Sequence, residues 1–213
     1  MKRRQFLQIG VGSLMAASVA KAAEVCAPTP QQTEGPFYPV KNQADTDWDL
    51  TNVSGKKGTA LGEVIWVGGV IRDQNCNPVE GALVEIWQAC ASGKYDHPQD
   101  PNKAPLDPNF QYWGKAVTDA KGQYVFKTIK PGSYPAAPGW VRPPHIHYKV
   151  TKLGYIEMIT QLYFEGDALN SRDEILKRLK PSEQEQVVRP VEVRDHQGDL
   201  IKWVGFSLQI EKV

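Results

Sequence analysis

The stretch Glu63-Val64-Ile65-Trp66-Val67-Gly68-Gly69-Val70-Ile71 is rich in β-branched and aromatic residues, and turn-forming residues 73–78 follow it. Similar apolar segments recur along the chain, each bounded by turn residues. The predicted strands are residues 63–71, 82–87, 122–129, 145–150, 158–164 and 201–210. Many short strands joined by turns are typical of two packed antiparallel sheets. We therefore predict an all-β fold, an antiparallel β-sandwich.

Two segments depart from the strand pattern. Apolar side chains share one face between Arg172 and Lys180, which predicts a short helix that Pro181 would end. Residues 88–118 contain many Gly and Pro residues and few strand signals, so we predict a long loop there. Long ordered loops on a sandwich usually carry function.

Composition limits the function classes. The chain has 213 residues, 41% of them hydrophobic, and a formal net charge of +1. This length suits one domain, and the near-neutral charge argues against a nucleic-acid-binding surface.

Residues 1–22 have the pattern of an export signal. Basic residues 2–4 precede Phe6-Leu7 and an apolar run, and Ala20-Lys21-Ala22 supplies the small residues of a cleavage site. The Arg3-Arg4 pair resembles a twin-arginine signal, although a buried N-terminal helix is the alternative. Removing residues 1–22 takes away four basic and no acidic residues, so the net charge falls from +1 to near −3.

The rest of the chain divides in two. Residues 23–60 are polar, contain several prolines and predict an irregular arm, and residues 61–213 predict the sandwich domain. We expect a periplasmic or secreted protein without a stable membrane anchor, because no second apolar run approaches eighteen residues.

The segment Arg142-Pro143-Pro144-His145-Ile146-His147-Tyr148 carries the strongest chemical signal. Side chains two positions apart on a strand point to the same face, so His145 and His147 can bind one ion. The alternative is a pair of solvated or core histidines.

Two tyrosines lie in loops just past predicted strands, Tyr95 and Tyr134. A phenol with a pKa of about 10 is a poor ligand at neutral pH unless the metal is a strong Lewis acid. Ferric iron meets that condition, whereas zinc or copper would be satisfied by imidazole and water. The alternative for each tyrosine is a packing role.

Six segments together resemble the intradiol ring-cleavage dioxygenases, and within them the iron-bearing subunits of the protocatechuate branch. They are residues 32–39, 81–89, 104–110, 128–135, 142–147 and 160–167. The resemblance extends from about residue 29 to residue 210.

This resemblance implies an immunoglobulin- or transthyretin-like sandwich that holds a non-haem Fe(III) ion. The implied metal ligands are Tyr95, Tyr134, His145 and His147, of which Tyr134 would leave the ion when substrate binds. Arg142 would stabilise charge on the bound catecholate, and Gln161 would lie beside it.

The family also implies a substrate and a reaction. A catechol-type ring, protocatechuate or another substituted catechol, would be cleaved with O2 between its hydroxylated carbons to a cis,cis-muconate-type diacid. Tyr38 and Trp140 would bind substrate, although packing explains each equally well. We expect a homo-oligomer. The alternatives to an intradiol dioxygenase are a transthyretin-like binding module and a copper or zinc β-sandwich protein.

The chain has three cysteines, and an oxidising compartment would favour a disulfide. Cys76 and Cys90 flank one predicted strand and its preceding turn, so we predict that they pair and leave Cys26 free or intermolecular. Small buried thiols are the alternative.

Overall fold

The computed structural model describes residues 26–213, apart from residues 42 and 44. The predicted signal at residues 1–22 lies outside the described residues. Within the described part, no helix has both the length and the apolar character needed to cross a membrane.

Twelve strands and one short α-helix make up the regular structure of the described chain. The strands are β1 (Val64–Arg72), β2 (Leu83–Trp87), β3 (Trp113–Val117), β4 (Gln123–Ile129), β5 (Tyr134–Ala137), β6 (Trp140–Arg142), β7 (His145–Thr151), β8 (Met158–Phe164), β9 (Val188–Arg189), β10 (Glu192–His196), β11 (Asp199–Gly205) and β12 (Leu208–Gln209). The helix is α1 (Pro181–Val187).

Two five-stranded sheets and one hairpin organise these strands. In the first sheet, β1 pairs with β4 on one edge and with β11 and β12 on the other, and β10 pairs with β11. The second sheet has the order β3-β2-β7-β8-β9, and β5 and β6 form the hairpin. The predicted all-β sandwich is confirmed.

The sheets are mixed, whereas the sequence predicted antiparallel pairing throughout. β1 is parallel to β11 and β12, and β8 is parallel to β9. β9 follows β8 through residues 165–187, a connection long enough to return the chain to the same end of the sheet, as parallel neighbours require. β11 and β12 come from the end of the chain, far in sequence from their parallel partner β1.

The hydrophobic core lies between the two sheets. Ile65 and Val67 from β1 are fully buried, as are Ile146 and Tyr148 from β7. Because side chains alternate across a strand, His145 and His147, which flank Ile146, point to the opposite face of the second sheet. The candidate site lies on that face.

The predicted helix between Arg172 and Lys180 is wrong. The chain there forms two single 3₁₀ turns, Asn170–Arg172 and Leu176–Arg178. Asp173 Oδ1 accepts the backbone N–H groups of Ile175 and Leu176, at 3.1 and 2.7 Å, and so stabilises a turn. Pro181 starts the helix α1 instead of ending one, because proline is favoured at the first helical position.

Two strand predictions need correction. β3 lies inside the predicted loop of residues 88–118. The sequence did not predict it because two of its five residues, Gly114 and Lys115, are not typical of strands. The predicted strand of residues 201–210 is divided into β11 and β12. Between them the side-chain oxygen Ser207 Oγ accepts the Val70 N–H at 3.1 Å, in place of the backbone carbonyl that a continuous strand would supply.

The predicted disulfide is also wrong. Cys26 pairs with Cys76, with their Cα atoms 5.5 Å apart, and Cys90 is a buried free thiol. The described arm runs back along the sandwich and brings Cys26 to the turn after β1. Cys90 follows β2 in the other sheet, where its Sγ lies 3.2 Å from Ser92 Oγ.

We predict that Cys26→Ser lowers the free energy of unfolding by about 2–4 kcal/mol, because the bond closes a loop across a sequence separation of 50 residues. Thermal unfolding with and without a thiol reductant measures the effect. Cys90→Ala should keep the full response to the reductant. An equal response in the Cys26→Ser variant would contradict the assignment.

Candidate metal centre

His145 and His147 occupy alternate positions of β7 on the face away from the core. Their ring centroids are 4.9 Å apart, and each residue is 2% exposed. The register of β7 places His145 opposite Tyr163 and His147 opposite Gln161. On the other edge, His147 pairs with Trp87 of β2.

The two predicted tyrosines lie beside these histidines. Tyr95 and Tyr134 have ring centroids 5.4 Å apart, and the Tyr134 ring lies 5.6 Å from that of His145. The Tyr95 hydroxyl is 3.4 Å from His145 Nε2, and its ring is 6.2 Å from His147. All four predicted ligands therefore converge, and we call Tyr95, Tyr134, His145 and His147 the donor cluster.

Close contact between two loops brings the tyrosines together. Gly93 has a φ of +80°, and a Cβ on it would overlap the Ser133 carbonyl. The backbone N–H of Gly132 donates to Cys90 O at 3.0 Å, which fixes the second loop against the first. Each glycine precedes its tyrosine by two residues, so this spacing is a sequence signal for the junction.

The histidine ring nitrogens have distinct environments. His145 Nδ1 donates to the Pro143 carbonyl at 2.7 Å, the type of bond that orients many metal-binding imidazoles. This leaves the Nε2 lone pair directed toward Tyr95 and Arg142. The His147 ring stacks on Trp87 at 4.8 Å, and its buried Nδ1 finds no hydrogen-bond partner among the described residues.

Burial and charge keep the donor cluster neutral. Burial, aided by the positive charge of Arg142, holds the pKa values of His145 and His147 well below their usual range. Burial raises the pKa values of Tyr95 and Tyr134, although Arg142 opposes the rise at both. An ion bound here must therefore be acidic enough to displace phenol protons.

The donor set fits ferric iron. Two neutral imidazoles and two phenols that become phenolates would bring two negative charges to a trivalent ion, which lowers the cost of burying it. In the described part of the chain, no three His, Cys, Asp or Glu side chains lie close enough to hold a metal. A site built from the donor cluster thus depends on its phenols.

Arg142 ends β6 beside the donor cluster and is 3% exposed. Its Nη1 lies 3.0 Å from His145 Nε2, and its Nη2 donates to Gln161 Oε1 at 2.8 Å. Burial opposes its charge, but Tyr163 and Asp173 outweigh that effect and raise the pKa of Arg142. The guanidinium is therefore a permanent cation at the edge of the cluster.

Gln161 and Tyr163 link Arg142 to the N-terminal arm. Gln161 Nε2 donates to the Thr33 carbonyl at 2.9 Å, and the Tyr163 hydroxyl donates to Gln32 Oε1 at 3.2 Å. Gln161 was predicted from its motif, and Tyr163 was not. No feature of the isolated sequence distinguishes Tyr163 from the other strand aromatics.

The structure places Tyr38 and Trp140 at the border of the donor cluster. The Tyr38 ring packs edge-on against Trp87 at 5.0 Å, and its hydroxyl donates to Glu85 at 3.3 Å. Partial burial and the Glu85 carboxylate raise the pKa of Tyr38 to about 12. The Trp140 ring lies 5.9 Å from the Arg142 guanidinium carbon.

Phe37, which the sequence analysis did not select, is the arm aromatic nearest the tyrosines. Its ring centroid lies 4.8 Å from Tyr95 and 6.1 Å from Tyr134. It also lies 5.7 Å from His97, whose buried Nε2 has no partner among the described residues. Phe37 lies next to Tyr38 in the matched segment 32–39, and no sequence feature shows that its ring packs on the two tyrosines.

Comparison with known proteins decides the family. The model of the family described as Dioxygenase matches residues 33–211. The chain belongs to the dioxygenase family. The resemblance inferred from the six motifs is therefore confirmed.

Named relatives add detail. The chain is 44% identical over 145 residues to the protocatechuate 3,4-dioxygenase beta chain of Burkholderia cepacia, covering 67% of this chain and 62% of that one. It is 33% identical over 114 residues to the chlorocatechol 1,2-dioxygenase of a Pseudomonas strain, covering 47% and 43%. The chain thus spans less than two thirds of the length of these relatives.

A solved structure agrees with the fold. The 3-chlorocatechol 1,2-dioxygenase of Rhodococcus opacus superposes with a TM-score of 0.68 at 25% identity, over 90% of this chain and 76% of that one.

We predict that Gly35→Ala weakens iron retention. Gly35 has a φ of +74°, and a Cβ there would lie 3.3 Å from His147 Cε1. The ring would have to shift, so iron content after loading and dialysis should fall severalfold.

Gly166→Ala is the matched control, because Gly166 has a φ of +78° with nothing within 4 Å of its Cβ position. Both variants should lose about 1–2 kcal/mol of stability from left-handed backbone strain. Equal iron retention in the two variants would contradict the role of the Gly35 contact.

Proposed function

We propose that this protein is a non-haem Fe(III)-dependent intradiol dioxygenase. It cleaves a catechol-type ring between the two hydroxylated carbons and incorporates both atoms of O2, giving a cis,cis-muconate-type diacid. The observation that carries the proposal is the convergence of two buried phenols and two neutral imidazoles beside a buried Arg142, in a member of the dioxygenase family. Family membership favours this activity over the binding-module and copper or zinc alternatives.

The donor cluster would hold the ion through the phenol oxygens of Tyr95 and Tyr134 and the imidazole nitrogens of His145 and His147. When bound, Fe(III) supplies a strong Lewis acid that chelates the catecholate and draws electron density from its ring, which activates the ring toward O2. The neutral state of the cluster means that both phenol protons must leave when the metal binds.

Tyr134 has a second task in this proposal. It lies at the start of β5, at the border of the hairpin, and its phenolate oxygen would accept a catechol proton when substrate displaces it. Tyr95 is the more buried of the two, with 3% of its surface exposed against 6% for Tyr134. This difference in burial supports Tyr134 as the ligand that leaves.

Arg142 would stabilise the negative charge that develops on the substrate ring. A permanently charged donor in a site shielded from water stabilises developing negative charge more strongly than the same donor in solvent. Phe37 and Trp87 supply the apolar wall that excludes water from the cluster.

Purified protein loaded with Fe(III) should be wine-red from phenolate-to-iron charge transfer and should show a high-spin ferric EPR signal. A panel of catechols, including protocatechuate, should identify substrates that consume one O2 per ring cleaved. A colourless preparation that retains zinc or copper and consumes no O2 would overturn the proposal.

Tyr134→Phe should shift the visible band and slow turnover by about 10²-fold, since it removes a ligand and a proton acceptor. Tyr155→Phe is the control, because Tyr155 lies in the turn after β7 and contacts Lys212. An unchanged spectrum for Tyr134→Phe would remove Tyr134 from the ligand set.

We also propose export through a twin-arginine signal and assembly as a homo-oligomer. The Cys26–Cys76 disulfide supports export, because such bonds persist in oxidising compartments. Two relatives support assembly, because their names describe them as an alpha chain and a beta chain of protocatechuate 3,4-dioxygenase. The alpha chain is 32% identical to this chain over 153 residues.

Replacing Arg3 and Arg4 by lysine should retain the full chain in the cytoplasm of a host with twin-arginine export, because the arginine pair is the recognised element. Cell fractionation measures the effect. Lys2→Gln removes a charge but keeps the pair, and should still be exported. Undiminished export of the double variant would contradict the proposal.

A further inference from the structure

One edge of the Arg142 guanidinium is bound by a single buried carboxylate. Arg142 Nε donates to Asp173 Oδ2 at 2.9 Å, and Nη2 lies 3.4 Å from Asp173 Oδ1. The two side chains are 4% and 0% exposed. This side-by-side pairing fixes the orientation of a guanidinium plane more strongly than a single contact can.

Asp173 is itself held rigidly. Its Oδ1 accepts the backbone N–H groups of Ile175 at 3.1 Å and Leu176 at 2.7 Å. The Leu176 side chain is 2% exposed and belongs to the hydrophobic core. The turn that presents the carboxylate is therefore anchored to the interior of the sandwich.

The remaining nitrogens of Arg142 have separate partners. Nη2 donates to Gln161 Oε1 at 2.8 Å and to the Tyr163 hydroxyl at 2.9 Å. Nη1 points the other way and meets His145 Nε2 at 3.0 Å. Thus Nε and Nη2 face the scaffold, and Nη1 faces the donor cluster.

We propose that Asp173 is a positioning residue that holds the Arg142 guanidinium with Nη1 directed at the ring of a bound catechol. The inference rests on the proposed ring-cleavage function. His145 Nε2, when it ligates a metal, would no longer accept from Nη1, which would leave Nη1 free as a donor. Nε and Nη2 keep their bonds to Asp173, Gln161 and Tyr163, so the freed donor stays aimed at the site.

Asp173→Asn separates this role from a structural one. The asparagine Oδ1 can still accept the N–H groups of Ile175 and Leu176, so the turn is kept. Its Nδ2 then faces Arg142 Nε as a second donor, which breaks the pairing. We expect kcat to fall about 10²-fold, with iron content and anaerobic catechol affinity changed less than about threefold.

A double-mutant cycle with Arg142→Gln tests whether Asp173 acts through Arg142. The double variant should be no slower than Arg142→Gln alone, because the carboxylate then has no guanidinium to orient. Multiplicative losses in kcat, or a kcat for Asp173→Asn within threefold of the parent, would overturn the proposal.

Asp73→Asn is the matched control. Asp73 is 2% exposed, stabilises a turn by accepting the N–H groups of Asn75 and Asn77, and pairs with Lys212 at 3.4 Å. It lies in the turn after β1, away from the donor cluster. The Asp73→Asn variant should lose stability as the Asp173→Asn variant does, but its kcat should be unchanged.

Arginine side-chain NMR of the metal-free protein gives a readout that does not require activity. The Nη signals of Arg142, identified by their loss in Arg142→Lys, should be resolved in the parent because rotation of the guanidinium is restricted. They should be averaged in Asp173→Asn and resolved in Asp73→Asn. Averaged signals in the parent would overturn the positioning role, whereas a parent that fails to consume O2 with catechols would overturn only the ring-cleavage function.

Discussion

The register of β7 between β2 and β8 is the constraint on which the site depends. It sets His147 between Trp87 and Gln161 and sets His145 against Tyr163. A slip of one residue would turn both imidazoles into the hydrophobic core and expose Ile146 on the site face. The burial of Ile146 and Tyr148 on the core side therefore also specifies where the donor atoms lie.

The site combines one buried ion pair with otherwise neutral groups. Arg142 and Asp173 together contribute no net charge, and the four side chains of the donor cluster are neutral before a metal binds. This arrangement limits the electrostatic cost of burying the donor cluster. If Fe(III) binds as proposed, loss of the two phenol protons would offset two of its three positive charges.

Much of the framework could be predicted from sequence, because strand alternation and the H-x-H spacing are local properties. The spacing of hydrophobic residues and the positions of turn residues predicted the bounds of five strands to within a residue or two, namely β1, β2, β4, β7 and β8. The phenols were recognised through long motifs, and the structure brings them to the imidazoles.

The sequence predictions were wrong where contacts between residues far apart in the chain determine a conformation that the local sequence pattern does not favour. Asp173 converts a helical pattern into a capped turn, and the same carboxylate binds Arg142 from 31 residues away. Cys26 reaches Cys76 only because the arm crosses the sandwich, which no spacing rule reveals. Phe37 likewise belongs to the site through tertiary packing alone.

The arm that closes the donor cluster comes early in the chain but contacts strands formed much later. Gln32 and Thr33 bind Thr160 and Gln161 across 128 residues of sequence. The surface that receives the arm is formed by β8, which pairs with β7, so the docked position of the arm depends on that pairing. In the docked position Phe37 packs on Tyr95 and Gly35 lies against His147, and the Cys26–Cys76 bond ties the start of the described arm to the sandwich. If the donor cluster holds Fe(III) as proposed, the ion could leave only when the arm moves aside, so retention would depend on the docked arm as well as on the four ligands.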